Sequence, residues 1–261
     1  MNNVRVFFIG GFMAYRALFA WIHWSIYVPT MLGSPLFQIL FFAYVGRFAG
    51  LQDDAFFVVG NAVQVACMAG IYGMAQTIGA ERWTQTLSPL LATPANRFAL
   101  FMGRALPNFA NGLIVSTFGF LIGWAFLDFD PPLASVPGLA ACVLVSAVSC
   151  TAFGMLIGSI GLRARDVMFL ANLAYFLLLL FCGVNVPLDQ LPDWMEAIGR
   201  SLPLTHGIEA AREVAGGAPL SAVDHLLRTE AAIGAVYAFG AYGLFRYFES
   251  AGRRRASLET I

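Results

Sequence analysis

A chain of 261 residues that is 59% hydrophobic and 11% charged cannot cover a water-facing surface, since soluble domains carry roughly a quarter charged residues. All 15 basic residues are Arg, which excludes a Gly-rich phosphate loop ending in Lys, a Schiff-base enzyme and the kinase constellation. The formal net charge of zero argues against a nucleic-acid surface, so the composition points to lipid.

The first stretch, 2–25, is apolar but broken by Arg5 and Arg16, and it ends in Trp21, His23 and Trp24. Arg16 spoils the uninterrupted run of a signal peptide. An interfacial helix on the inner leaflet, with Trp at headgroup level, fits better. A bilayer core takes roughly 20 helical residues, and charge-free runs of that order predict six transmembrane helices at 28–46, 55–80, 100–127, 134–161, 167–187 and 229–248. Pro29 suits the start of the first. The sixth is the shortest run, bounded by Glu230 and Arg246, which can snorkel or sit at the interfaces. The chain reads as a single all-α transmembrane domain over 1–261. Two segments stand outside the spans. One, 81–94, follows the second span. The other, 188–228, is too long for a simple turn. It carries Pro192, Pro203 and Pro219 with an amphipathic stretch from Trp194 to Leu202, so short helices dipping into the outer leaflet are expected.

The loops set the orientation. With the N-terminus in the cytoplasm, the inner segments hold eleven Arg and four acids, and the outer segments four Arg and eleven acids. The Arg bias satisfies the positive-inside rule, and an even number of spans puts both termini in the cytoplasm. The net charge of zero therefore conceals a strong polarity across the membrane.

Ionisable residues at depth usually betray coupled transport, and the middles of these spans have none. The three His (His23, His206, His225) lie outside the spans and no metalloprotease motif occurs, so proton-coupled and enzymatic readings are weak. The four Cys lie in apolar stretches with no Cys-x-x-Cys pair and read as small buried hydrophobes. Uncharged polar residues do occur: Gln38, Asn61, Gln64, Gln76, Asn108, Asn111, Asn172 and Asn185. Asn61/Gln64 and Asn108/Asn111 are each three apart and share a helix face. Asn61, Gln64, Asn108, Asn111 and Asn185 are candidates for a weakly polar substrate path. The competing reading is interhelical hydrogen bonding that holds the bundle together.

The inner segment reads Glu81-Arg82-Trp83-Thr84-Gln85-Thr86-Leu87-Ser88-Pro89-Leu90-Leu91-Ala92-Thr93-Pro94. This resembles the cytoplasmic coupling segment of the ABC-2 type exporter permeases, whose pattern is Glu-Arg-x-x-Gly-Thr-Leu-Glu-x-Leu-Leu-x-Thr-Pro. Gln85 and Ser88 depart from it. A second match, Gly183-Val184-Asn185-Val186-Pro187-Leu188 followed by Leu191-Pro192-x-Trp194, continues as Leu202-Pro203-Leu204-Thr205-His206-Gly207. It is similar to the family's segment before the last span. Together the matches extend the resemblance over essentially the whole chain.

The resemblance implies a permease subunit that docks on two copies of an ABC ATP-binding subunit and pairs with a second permease, identical or not. No cofactor is expected in this chain; ATP and Mg would sit on the ATP-binding partner. Glu81, Arg82, Trp83, Thr84, Thr86 and Leu87 become candidates for coupling to the ATPase. Glu81 suits the positive end of a short helix, and Arg82 with Trp83 offers an anchor for a partner pocket. Leu191, Trp194, Leu202 and Leu204 become candidates for an extracellular gate, with plain outer-leaflet anchoring as the alternative. The expected substrate is hydrophobic or amphipathic, a drug, antibiotic or lipid moving outward, with a lipid-linked polysaccharide as runner-up. A channel or secondary transporter would need no ATP. The expected location is a bacterial inner membrane.

Overall fold

A computed structural model describes residues 3–19, 24–50, 52–83, 97–161 and 166–255, with side chains for 7–16, 25–50, 52–77, 103–161 and 166–247. Helices make up nearly all of it, and no strand occurs among the described residues. The helices are α1 (Asn3–Phe19), α2 (Trp24–Tyr27), α3 (Gly33–Ala49), α4 (Asp54–Trp83), α5 (Arg97–Phe126), α6 (Val136–Gly161), α7 (Val167–Phe181), α8 (Asp193–Ser201), α9 (Thr205–Ala215) and α10 (Asp224–Arg255). A π-helical turn, Val28–Leu32, joins α2 to α3, so the first apolar helix runs unbroken from Ser25 to Ala49. It begins before the expected start at 28.

Among the described residues, four helical stretches are long and apolar enough to cross a bilayer: Ser25–Ala49, Asp54–Thr77, Gly103–Phe126 and Leu133–Gly161. The fifth expected span, 167–187, is shorter as a helix. The Asp166 carboxylate caps its start by accepting from the amides of Met168 and Phe169 at 2.9 and 3.1 Å. The helix stops at Phe181, and Gly183 at φ +71° then turns the chain. α10 covers the sixth expected span but carries too much polarity along its length to count with the four.

α4 is the hub, packing against α3, α5, α6, α7 and α9. In its apolar window 72% of residues are buried, against 17% for the first apolar helix. Close approach to α6 is built on glycine. A Cβ on Gly154 would fall 2.7 Å from the Ile71 Cα, and one on Gly112 of α5 would fall 2.6 Å from the Ala66 carbonyl. α1 lies along α5, with Gly103 backed directly against the Phe7 carbonyl. Of the helix expected over 2–25, the described stretch Asn3–Phe19 is helical and docks on the bundle.

The outer segment departs most from expectation. α8 keeps Trp194 and Ile198 exposed, but α9 does not lie on a leaflet. Thr205, His206, Gly207, Ile208, Ala210, Ala211 and Val214 are all buried, wedged among α4, α6 and α10. A helix of this length with small residues along it can enter the bundle because Gly207 sits directly against Ser146 of α6.

Candidate functional site

The candidate path residues do not form one file. Three of them meet at the bundle centre. Asn61 and Gln64, fully buried on α4, face Gln38 of α3. The Gln38 amide donates to Asn61 Oδ1 at 2.9 Å and to Gln64 Oε1 at 3.0 Å. Asn61 Nδ2 in turn donates to the Phe57 carbonyl at 2.9 Å and to Asn185 Oδ1 at 2.8 Å. The Tyr175 hydroxyl of α7 donates to Gln38 Oε1 at 3.3 Å. Four segments (α3, α4, α7 and the turn after α7) are thereby tied through one polar cluster, in a setting where a lost partner is hard to replace. Two of its donors, Gln64 Nε2 and Asn185 Nδ2, are buried and find no protein acceptor.

The other two candidates lie elsewhere. Asn111 accepts from the Tyr27 hydroxyl at 2.6 Å, which ties α2 to α5. Asn108 fills the space over Gly73 of α4, and its Nδ2 is another buried donor with no protein acceptor. Gln38 was visible as a polar residue in an apolar run. Tyr175 gave no signal, because a Tyr in a lipid-facing helix is ordinary.

The gate candidates also divide. Trp194 is exposed and meets Phe181 edge-on, with ring centroids 6.1 Å apart. Leu191 and Leu202 are half-buried. Leu204 is fully buried and holds φ +96°, a conformation L-residues rarely adopt.

Two charged residues that the sequence left at the surface are the main additions. Glu230, expected to snorkel or sit at an interface, is completely buried. Its carboxyl oxygens accept from the amides of Leu204 at 2.7 Å and Gly207 at 3.2 Å. Arg212, in the last turn of α9, lies over the Phe56 ring at 3.4 Å from its centroid and donates to the carbonyls of Phe56 and Val184 at 3.2 and 3.0 Å. Burial pulls its pKa below the usual guanidinium range, and Glu209 and Asp53 counteract that. The guanidinium stays charged at any ordinary pH.

Between α8 and α9 sits a clasp. His206 Nε2 lies 3.2 Å from the Arg200 carbonyl at the end of α8, and its Nδ1 lies 3.4 Å from Glu209 Oε2. Arg200 bonds Glu196 at 2.8 Å and approaches Glu209 at 3.7 Å. The Thr205 hydroxyl donates to the Gly199 carbonyl at 2.5 Å. The neighbouring Glu209 pushes His206 above the usual imidazole range, and His206 with Arg200 holds Glu209 below the usual carboxylate range.

Of the coupling candidates, the backbone of Glu81, Arg82 and Trp83 is helical and belongs to α4. Thr84, Thr86 and Leu87 lie outside the described residues.

Among known proteins the chain matches the family model described as ABC-2 type transporter over residues 6–215. It is 24% identical to the probable multidrug ABC transporter permease YbhR of Escherichia coli K12, over 74% of this chain and 53% of that protein. It is 25% identical to Nodulation protein J of Rhizobium leguminosarum bv. trifolii, over 67% of each chain. It is 24% identical to the daunorubicin resistance ABC transporter permease protein DrrB1 of Streptomyces coeruleorubidus, over 78% of this chain and 73% of that one. The match spans about half the length of the Escherichia coli relative. With a family model covering most of its length and four helices able to cross a bilayer, the chain is a multi-pass membrane protein belonging to the ABC-2 type transporter family.

Proposed function

We propose that this chain is the permease subunit of an ATP-driven exporter that moves a hydrophobic or amphipathic molecule outward. The family match over 6–215 carries the reading, and relatives named for multidrug and daunorubicin resistance direct it to drug-like substrates. Two ABC ATP-binding subunits bring ATP and Mg, and a second permease completes the membrane portion. The chain crosses a bacterial inner membrane six times, with α7 and α10 as the fifth and sixth crossings and both termini in the cytoplasm.

The physical support lies in α4. Its 30 residues span about 45 Å at 1.5 Å per residue. Glu81, Arg82 and Trp83 stand at one end, the Asn61/Gln64 cluster nearer the other. A push from an ATPase on the end of so well-packed a helix would reach the cluster without dissipating in a loop. Thr84, Thr86 and Leu87 extend the docking surface beyond Trp83. Within the bundle, Asn61, Gln64, Asn108, Asn111 and Asn185 form the polar positions of the path. The unpaired amide donors of Gln64, Asn108 and Asn185 would greet an oxygen-bearing substrate. Leu191, Trp194, Leu202 and Leu204 close the outer end.

The test is purification of the chain with its associated proteins, followed by reconstitution into liposomes. An ATP-binding partner and ATP-dependent movement of daunorubicin are expected. Movement without ATP would put a channel or secondary transporter in its place. Glu81→Ala and Arg82→Ala should leave the complex in the membrane with ATP hydrolysis uncoupled from transport, and unchanged transport in both would remove the role given to this segment.

A further inference from the structure

The start of α9 is built in a way its own sequence does not provide for. The first amides of a helix have no intrahelical acceptor, and a side chain at the N-cap ordinarily supplies one. Here the N-cap is Leu204, with no side-chain cap. Thr205, the nearest residue able to cap, turns its hydroxyl to Gly199 instead. Glu230 fills the role from another helix. One carboxyl oxygen takes the Leu204 amide and the other takes the Gly207 amide, three positions on. These are the two donors that a capping box satisfies with two local side chains. One remote carboxyl satisfies both.

The backbone that carries the carboxyl is held in place as well. The Ser149 hydroxyl of α6 donates to the Glu230 carbonyl at 3.2 Å. A Cβ on Gly234, one turn further along α10, would fall 2.8 Å from the Ser149 Cα. Leu204 meanwhile holds φ +96°, a strain that persists only where the surroundings over-determine it. At the other end of α9, Arg212 supplies positive charge to the last turn. The helix thus has a carboxyl group at its positive end and a cation at its negative end. α8, by contrast, has an exposed Trp194 and is seated on the end of α7, through Gly199 against the Phe181 carbonyl and Trp194 against the Phe181 ring, as well as on Thr205 and His206.

We propose that Glu230 is a positioning residue for the outer exit: its carboxyl group, reaching from α10, caps α9 and makes the two helices one rigid unit, leaving α8 as the part of the outer hairpin that moves. That α8 guards an exit rests on the exporter reading; the cap and the rigid unit do not.

Hydrogen exchange on the full chain in lipid nanodiscs tests the cap. In the unsubstituted protein the Leu204 and Gly207 amides are expected to exchange as slowly as the interior of α9, whereas uncapped helix starts exchange fast. Glu230→Gln keeps the size but offers one acceptor and faces an amide donor with its own NH2. It should speed exchange over 204–208 at least about tenfold, leaving the α4 amides of 58–75 unchanged. Nitroxides on exposed Glu213 and His225 should report a single narrow distance that broadens in Glu230→Gln. A pair on Gln190 and His225 should be broad in both proteins.

Fast exchange at 204 and 207 in the unsubstituted protein, a uniform rise across the bundle in Glu230→Gln, or a broad 213–225 distance from the outset would overturn the proposal. The exchange and distance measurements on the unsubstituted protein decide even if Glu230→Gln does not fold. If they come out as expected and the purified complex moves nothing on ATP, the exporter reading falls and the cap stands.

Discussion

Whether the central polar cluster is structural cohesion or a path lining can be decided by a double-mutant cycle at Asn61 and Asn185, which share a 2.8 Å hydrogen bond between α4 and the turn after α7. Asn61→Ala removes an acceptor for Gln38 and donors to Asn185 and Phe57 from a fully buried position. Gln38 retains Gln64, but the Asn185 oxygen loses its donor, so about 2 kcal/mol of destabilisation is expected. Asn185→Ala breaks the same bond while Asn61 keeps the Phe57 carbonyl, so about 1 kcal/mol is expected. If the pair acts as cohesion, the double variant falls short of the sum by about 0.6 to 1.7 kcal/mol, the average and the maximum found for interhelical bonds in a membrane protein. The assay is reversible unfolding in mixed detergent micelles with all four proteins under one condition. A coupling below about 0.3 kcal/mol is ordinary additivity. It would refute the claim that this bond holds α4 to the turn. A path lining has a different signature: Asn185→Ala then shifts the substrate concentration for half-maximal transport at nearly unchanged stability.

Gly103→Ala should cost about 1–3 kcal/mol in thermal unfolding, because the added carbon meets the Phe7 carbonyl of α1. Gly33→Ala should stabilise by about 0.5–1 kcal/mol, since nothing lies within 4 Å of its added carbon. Arg212→Ala strands two carbonyl acceptors and a ring face. It should lower the melting temperature by on the order of 5–10 °C, with Arg212→Lys recovering part of that, because an ammonium cannot stack and fork as a guanidinium does. The α8–α9 clasp should depend on pH. His206 is raised from 6.5, so its contribution is complete below 6.5 and lost as pH rises through the higher folded value. Glu209 is lowered from 4.5, so its contribution is complete above 4.5 and lost as pH falls through the lower folded value. Protection of α8 amides, taken relative to their intrinsic exchange rate at each pH, is therefore expected to be greatest between about pH 4.5 and 6.5 and lower on either side, and His206→Gln should remove the alkaline loss.

The long helices were legible because their signal is local. A charge-free run of some 20 residues predicts a helix wherever it sits: α4 contains the expected 55–80, while α5 stops one residue short of 127 and α6 begins two residues after 134. Asp166 could have been read as a cap before Val167. The interior of the bundle was legible only in kind. Polar residues in apolar runs flagged Asn61, Gln64 and Asn185, but which of them meet depends on rotation about axes that apolar periodicity leaves open when a helix is apolar all round. Glu230 was misplaced for a sharper reason. A carboxylate at the edge of an apolar run looks like an interfacial residue, and only the position of α9, whose N-cap lies 26 residues earlier, shows that it has a partner. Arg212 is the same case: its acceptors are carbonyls, which carry no residue-type signature.

The distribution of packing constrains where such a bundle can change shape. α4 is buried on nearly every side and crosses α5, α6 and α9 through glycine contacts or a buried cation. Glycine-to-backbone contacts tolerate little sliding, because small shifts open voids or force overlap. α3 is the opposite case. Phe37, Phe41, Tyr44 and Phe48 are exposed along it, and one of its links to the core is the Gln38 amide pair, whose neighbours Gln64 and Asn185 retain donors to spare. Hydrogen bonds with spare donors beside them can be exchanged with little loss, whereas a glycine interface cannot be rebuilt in a second register. Movement is therefore expected of α3 around a fixed frame of α4, α6, α9 and α10, and of α8 together with the end of α7 on which its Gly199 is seated. Cysteine pairs across the α4–α6 contact should crosslink at the same rate with and without ATP, and pairs from α3 to α4 should not. Equal ATP-independence of both would locate the motion outside this chain, between whole permease subunits.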